Sequence, residues 1–187
     1  RLAGQGMIFT DAHSSSAVCT PTRYGLLTGR YNWRSRLQNG VMGGMSPTLI
    51  EPGRLTVAAL LKQHGYHTAA IGKWHLGLET PNTPNERGFE HFQGFLGDMM
   101  DSYTTHLRHG NNYMRRNAEI IEPDGHATDL FSDWTADYLR TRAERTDQPF
   151  FLYLAYNAPH FPIEPPADWL ARVKQRAPKL DEKRARN

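Results

Sequence analysis

Phe150-Phe151-Leu152-Tyr153-Leu154-Ala155-Tyr156 is an unbroken apolar run, followed at once by Asn157 and then by Pro159 and Pro162. A run of this length without polar alternation predicts a strand buried on both faces. Working upstream, Thr128 to Arg142 predicts the clearest helix. Leu130, Trp134 and Tyr138 recur at four-residue spacing there, with Phe131 and Leu139 beside them. Thr56 to His64 predicts a second helix, with Val57, Leu60 and Leu61 on one face and Gly65 where a C-terminal cap belongs. Thr68 to Ile71 follows as a short apolar strand, and Met7 to Thr10 predicts another. After a polar turn over Asp11 to Ser16, Thr20-Pro21 reads as an N-cap with proline at the first helical position. That helix would run to about Thr28 and stop at Gly29. Strand and helix alternate, which predicts an α/β fold: a mostly parallel sheet with helices on both faces. Residues 79–127, rich in Gly, Asn and His, read as surface loops with an added hairpin. The last twenty residues read as a solvated helix.

Composition narrows the function classes. The chain has 187 residues, 39% hydrophobic and 22% charged, as in a globular domain with one core. No apolar run is long enough to span a bilayer, so no membrane partner is expected. The formal net charge is +3. Residues 172–187 hold seven basic and two acidic side chains, so the basic character is local to the tail. No aromatic residue interleaves those charges, which argues against a nucleic-acid partner. The single cysteine, Cys19, excludes a disulfide framework and a Cys-rich zinc site within the chain.

In open α/β sheets, ligands bind beyond the carboxyl ends of the strands. Each proposed strand is followed by reactive side chains. The first leads to Cys19, Thr20, Thr22 and Arg23, the second to Lys73 and His75, and the third to Asn157 and His160. If the strands are neighbours, these residues meet on one edge. Arg23 and Lys73 supply positive charge, the helix opening near Pro21 aims its free N–H groups the same way, and the histidines can move protons. Such a site suits a tetrahedral oxyanion, sulfate and phosphate being equivalent on spacing alone. Arg23 lies four positions after Cys19, so the Cys-x5-Arg loop of cysteine phosphatases is absent. A lone cysteine at such a junction is also an ordinary small core residue, and most of the other seven histidines read as solvent-facing.

Cys19-Thr20-Pro21-Thr22-Arg23, continued by Tyr24-Gly25-Leu26-Leu27-Thr28-Gly29-Arg30, resembles the sulfatase signature Cys-x-Pro-x-Arg with its Leu-x-Thr-Gly-Arg extension. Gly65 to Gly77 (GYHTAAIGKWHLG) resembles the second signature of that family, and Pro149 to His160 is similar to a third block. The resemblance spans residues 1 to about 166. It implies an alkaline-phosphatase-like fold and a sulfuric ester hydrolase of arylsulfatase type. It implies that Cys19 is converted to formylglycine by a separate maturation enzyme, and that the hydrated aldehyde attacks sulfur. Arg23 would orient that side chain, and Lys73 would bind sulfate oxygen. His75 would take the proton that triggers release, and His160 would face the leaving-group oxygen. Calcium would be a cofactor, with Cys19, as formylglycine, among its ligands. Substrates would be aryl sulfates or sulfated saccharides, and the setting periplasmic or secreted.

The family's paired Asp on its first strand and its downstream Asp-Asn pair and Lys have no candidate positions here. Residues 1–187 are therefore expected to be a partial catalytic domain, incomplete at both ends, with a partly open core, weak metal binding and little turnover when isolated. Two other readings compete: a phosphodiester or phosphonate monoester hydrolase of the same superfamily, and a non-catalytic anion-binding module. Within 79–127, Asp98, Ser102, His106 and His109 are candidates for shaping the substrate pocket.

Overall fold

A computed structural model describes residues 2–186. The helices are α1 (Leu2–Gln5), α2 (Cys19–Thr28), α3 (Val57–Gln63), α4 (Ala127–Ala143), α5 (Ala167–Arg176) and α6 (Glu182–Arg186). The strands are β1 (His67–Lys73), β2 (His91–Phe95), β3 (Leu107–Arg108), β4 (Asn111–Asn112), β5 (Met114–Arg116), β6 (Glu119–Ile120) and β7 (Phe150–Ala155).

One five-stranded sheet, in the order β6-β5-β2-β1-β7, carries the fold. Its three long strands, β2, β1 and β7, are parallel, with Ala70 opposite both Phe92 and Tyr153. The hairpin β5–β6 extends the sheet antiparallel beside β2, and β3–β4 form a separate two-stranded ribbon. Side chains alternate across the sheet and build two cores. Ala70, Phe92, Phe151 and Tyr153 pack with Tyr24 and Leu27 of α2 and Ala58 of α3 on one face. Ala69, Ile71, Leu152 and Leu154 pack with Phe131 and Tyr138 of α4 on the other. The predicted α/β sandwich, with helices on both faces, is what forms.

The local readings differ in five places. Met7 to Thr10 is not a strand; Met7, Ile8 and Phe9 are exposed, because no strand lies beside them among the described residues. Helix α2 begins at Cys19 with Val18 as the cap residue, because the Thr20 side chain is turned inward to His75 and caps nothing. Helix α4 buries Ala127, Phe131, Thr135, Tyr138 and Arg142, a face rotated from the expected Leu130–Trp134 stripe, and Leu139 is exposed. In α3 the buried residue is Ala58, while Leu60 faces solvent. The segment read as loops contains β2, buried from Phe92 to Phe95, as well as the hairpin. No helix is long and apolar enough to cross a membrane.

Candidate active site

The carboxyl ends of β1, β2 and β7 share one edge of the sheet, and the amino end of α2 lies over it. Helix α2 is held by the buried Tyr24 and Leu27 and closed by Gly29 in the left-handed conformation, φ 65°. Its first turn presents Cys19, half-buried, and Arg23. The Arg23 guanidinium spans the gap to the sheet: Nη1 donates to the Lys73 carbonyl oxygen and to the Tyr153 hydroxyl at 3.3 Å. Its Nε is buried without a partner among the described residues.

Lys73 ends β1 and is 2% exposed. It makes no ion pair among the described residues. Burial, and then the Arg23 charge, lower its ammonium to about 8, while Cys19 and Asp98 pull it the other way. Beyond it, Trp74 drops into the core, where its ring meets Phe89 edge-on and Nε1 donates to the Asn82 carbonyl at 2.8 Å. That anchor turns the chain, and His75 takes a left-handed backbone conformation, φ 56°. Non-glycine residues seldom adopt it, and such strain concentrates at functional sites.

His75 is 5% exposed. Its Nε2 lies 2.7 Å from the Met42 carbonyl oxygen, which can only accept, so Nε2 carries the proton and Nδ1 keeps its lone pair. The Thr20 hydroxyl lies 3.0 Å from Nε2 and 3.3 Å from Nδ1. Burial, then the Lys73 charge, lower the imidazolium to about 4, so the ring is neutral at pH 7.

Strand β2 brings a carboxylate to the same edge. Asp98 is gripped by Arg108, with Nε to Oδ1 at 2.9 Å and Nη2 to Oδ2 at 3.2 Å. Burial raises its pKa, and the Arg108 pair more than reverses this, leaving the carboxyl below its usual range. Asp98, Arg108, His109 and Tyr113 line a cavity of about 340 Å³. Gly44 borders it, and any Cβ there would press on the Asp98 carboxylate.

Thus Arg23, Lys73 and His75 come together as the spacing suggested, at the cysteine end of α2. His160 stands apart in its contacts: Nδ1 donates to the Phe161 carbonyl at 3.0 Å, and the ring lines a separate cavity with Tyr103 and Glu164. Asp98 and His109 line the 340 Å³ cavity, but Ser102 and His106 do not. His106 is buried against the Gly125 carbonyl and reads as structural, unlike the pocket-shaping residue expected. Arg108, Tyr153 and the Met42 carbonyl were not foreseen. The run Phe92 to Leu96 before Asp98 is broken by Gln93 and Gly94, so its strand signal is weak, and a backbone carbonyl leaves none.

A family model described as Sulfatase matches residues 1–187. The arylsulfatase of Klebsiella aerogenes is 31% identical over 92% of this chain and 39% of its own length. An N-acetylgalactosamine-6-O-sulfatase of Bacteroides thetaiotaomicron is 51% identical over 42% of the chain and 15% of its own length. The crystal structure of Ps i-CgsB aligns with a TM-score of 0.83 and 27% identity over 95% of this chain and 42% of that one. Its complex with k-i-k-neocarrahexaose aligns at 0.75 and 26%, with the same shares covered. The chain spans less than half the length of these relatives.

Proposed function

The chain belongs to the sulfatase family, and on that footing we propose that the protein containing it hydrolyses sulfate esters, with the reacting group carried at position 19. The supporting observation is the meeting of Arg23, Lys73 and His75 at the cysteine end of α2, on the carboxyl edge of β1. Cys19 suits conversion to formylglycine. It is half-buried rather than sealed in the core, and Pro21 and Arg23 follow it at the family's spacing. That group supplies a hydrated aldehyde, whose hydroxyl can serve as nucleophile.

The chain's own residues would do the rest. Arg23, tethered to the Lys73 carbonyl and Tyr153, holds its charge in place before substrate arrives, so little reorganisation is needed at reaction. Lys73, buried and without a carboxylate partner among the described residues, takes a sulfate oxygen. His75 is neutral, with the lone pair of Nδ1 able to accept a proton, and the negative charge of a bound sulfate ester would raise its basicity. We propose His160, on the loop after β7, as proton donor to the departing oxygen. The family also implies calcium. Among the described residues no three His, Cys, Asp or Glu side chains gather as a metal site, so these residues alone do not form one.

Residues 1–187 are proposed as part of a larger catalytic domain. The cavity beside Asp98 supports a sugar- or aryl-sized alcohol half, and the saccharide complex of Ps i-CgsB favours a sulfated saccharide. A formylglycine-generating enzyme is the implied maturation partner, and export to the periplasm or beyond is inferred from the bacterial relatives. Parallel assays of p-nitrophenyl sulfate and a phosphate diester on the full-length protein test the reaction. Preferred sulfate turnover, lost in Cys19→Ala, is expected. Preference for the diester, or undiminished activity in Cys19→Ala, would overturn it.

A further inference from the structure

The opposite end of the sheet carries a second polar cleft, of about 580 Å³, beneath α4 at the amino ends of β1 and β2. Three guanidinium groups line it: Arg116 of β5, Arg142 of α4 and Arg145 in the turn that follows. None pairs with a carboxylate among the described residues, although Arg140, one residue position from this face, is paired with Asp137 at 2.6 Å. Arg142 is 7% exposed. Its Nη2 donates to the neutral Gln148 Oε1 at 3.2 Å, and its Nε is buried with no partner among the described residues. A buried cation without a counter-charge is costly, and native structures normally pair one.

The walls are held firmly. With its amide oriented to satisfy both ends, Gln93 accepts from Arg116 Nη2 at 3.2 Å and from Trp134 Nε1 at 3.1 Å. The Tyr138 hydroxyl bonds His67 Nδ1 at 2.9 Å. The carboxylates at the rim are engaged elsewhere: Glu90 accepts from the Thr68 amide, and Asp137 from Arg140. Burial first holds His67 and His91 below the usual histidine range; at His67 the Arg142 charge adds to this and Glu90 opposes it, and at His91 the neighbouring His67 and then Arg116 add to it.

We propose that this cleft is a second binding site, for a tetrahedral oxyanion, the sulfate or phosphate group of a ligand. The three guanidiniums come from three segments and surround the space, whereas a planar carboxylate is served by one guanidinium fork. The site lies roughly 20 Å from Lys73, the length of β1, and is independent of turnover at Cys19.

The test is calorimetric titration of the full-length protein, in the Cys19→Ala background, with inorganic sulfate and separately with inorganic phosphate. Two classes of anion site are expected. Arg116→Ala with Arg145→Ala, both exposed positions, should weaken one class about tenfold or more, leave the other unchanged, and leave p-nitrophenyl sulfate turnover intact when Cys19 is present. Arg142→Gln should act in the same direction. Binding of sulfate alone would assign a sulfate group, and equal binding of phosphate would assign recognition by charge and shape. A single class of site, or affinities unmoved in the Arg116 and Arg145 variant, would overturn the inference.

Discussion

Replacing Lys73 by methionine separates what this residue does for the reaction from what it does to the fold. The side chain is 2% exposed and has no carboxylate partner among the described residues. Burial and the Arg23 charge lower its ammonium from 10.5 to about 8, a displacement worth about 3 kcal/mol of folding stability. The sign follows from proton uptake. Below pH 8 both folded and unfolded chains carry the charge, and the penalty is present in full. Between about 8 and 10.5 the unfolded chain binds more protons than the folded one, so the wild type recovers stability as pH rises. Methionine fills nearly the same volume without charge. Lys73→Met in the full-length protein should therefore be more stable at pH 7 by up to about 3 kcal/mol, with an advantage that fades from pH 8 upward. Turnover of p-nitrophenyl sulfate should fall roughly 10²- to 10³-fold. Urea unfolding at several pH values between 7 and 10, beside steady-state kinetics, reads both effects. A variant no more stable than wild type at pH 7, or a stability gap that does not change with pH, would refute the reasoning.

Other outcomes follow from neighbouring residues. His75 is held at about 4 against 6.5, so acidification through that window should destabilise the wild type by about 3 kcal/mol; thermal unfolding of His75→Gln should show a flatter acid limb, and its kcat should drop roughly 10²- to 10⁴-fold. Tyr153→Phe removes the hydroxyl that accepts from Arg23, and should lower kcat/KM about tenfold while changing urea-unfolding stability by less than about 1.5 kcal/mol. Gly72 sits at φ 107° with the Ala155 carbonyl where a Cβ would go. Gly72→Ala should therefore cost about 2 kcal/mol or more in denaturant unfolding.

The parallel core was readable because β7 is a continuous apolar run, β1 carries the apolar Ala69-Ala70-Ile71, and α4 has a clear helical period. Strand β2 was hidden because Gln93 and Gly94 interrupt its apolar residues, and only burial between β1 and β5 makes it a central strand. The Leu130–Trp134 stripe and the true buried face of α4 are both apolar enough to pass for a core face. Arg142 belongs to the buried one, a placement that no hydrophobic pattern announces. At the site, Cys19, Arg23, Lys73 and His75 were readable from type and position beyond strand ends. The supports around them were not, since the Met42 carbonyl and the Tyr153 hydroxyl act through tertiary proximity across 33 and 130 residues of chain.

The nucleophile is the point on which the reading of the site turns. Tandem mass spectrometry of the peptide containing Cys19, from the full-length protein made in a host able to mature sulfatases, addresses it most directly. Formylglycine at position 19, in proportion to the specific activity of each preparation, is the predicted result. Fully active protein whose position 19 is entirely unmodified cysteine would contradict it.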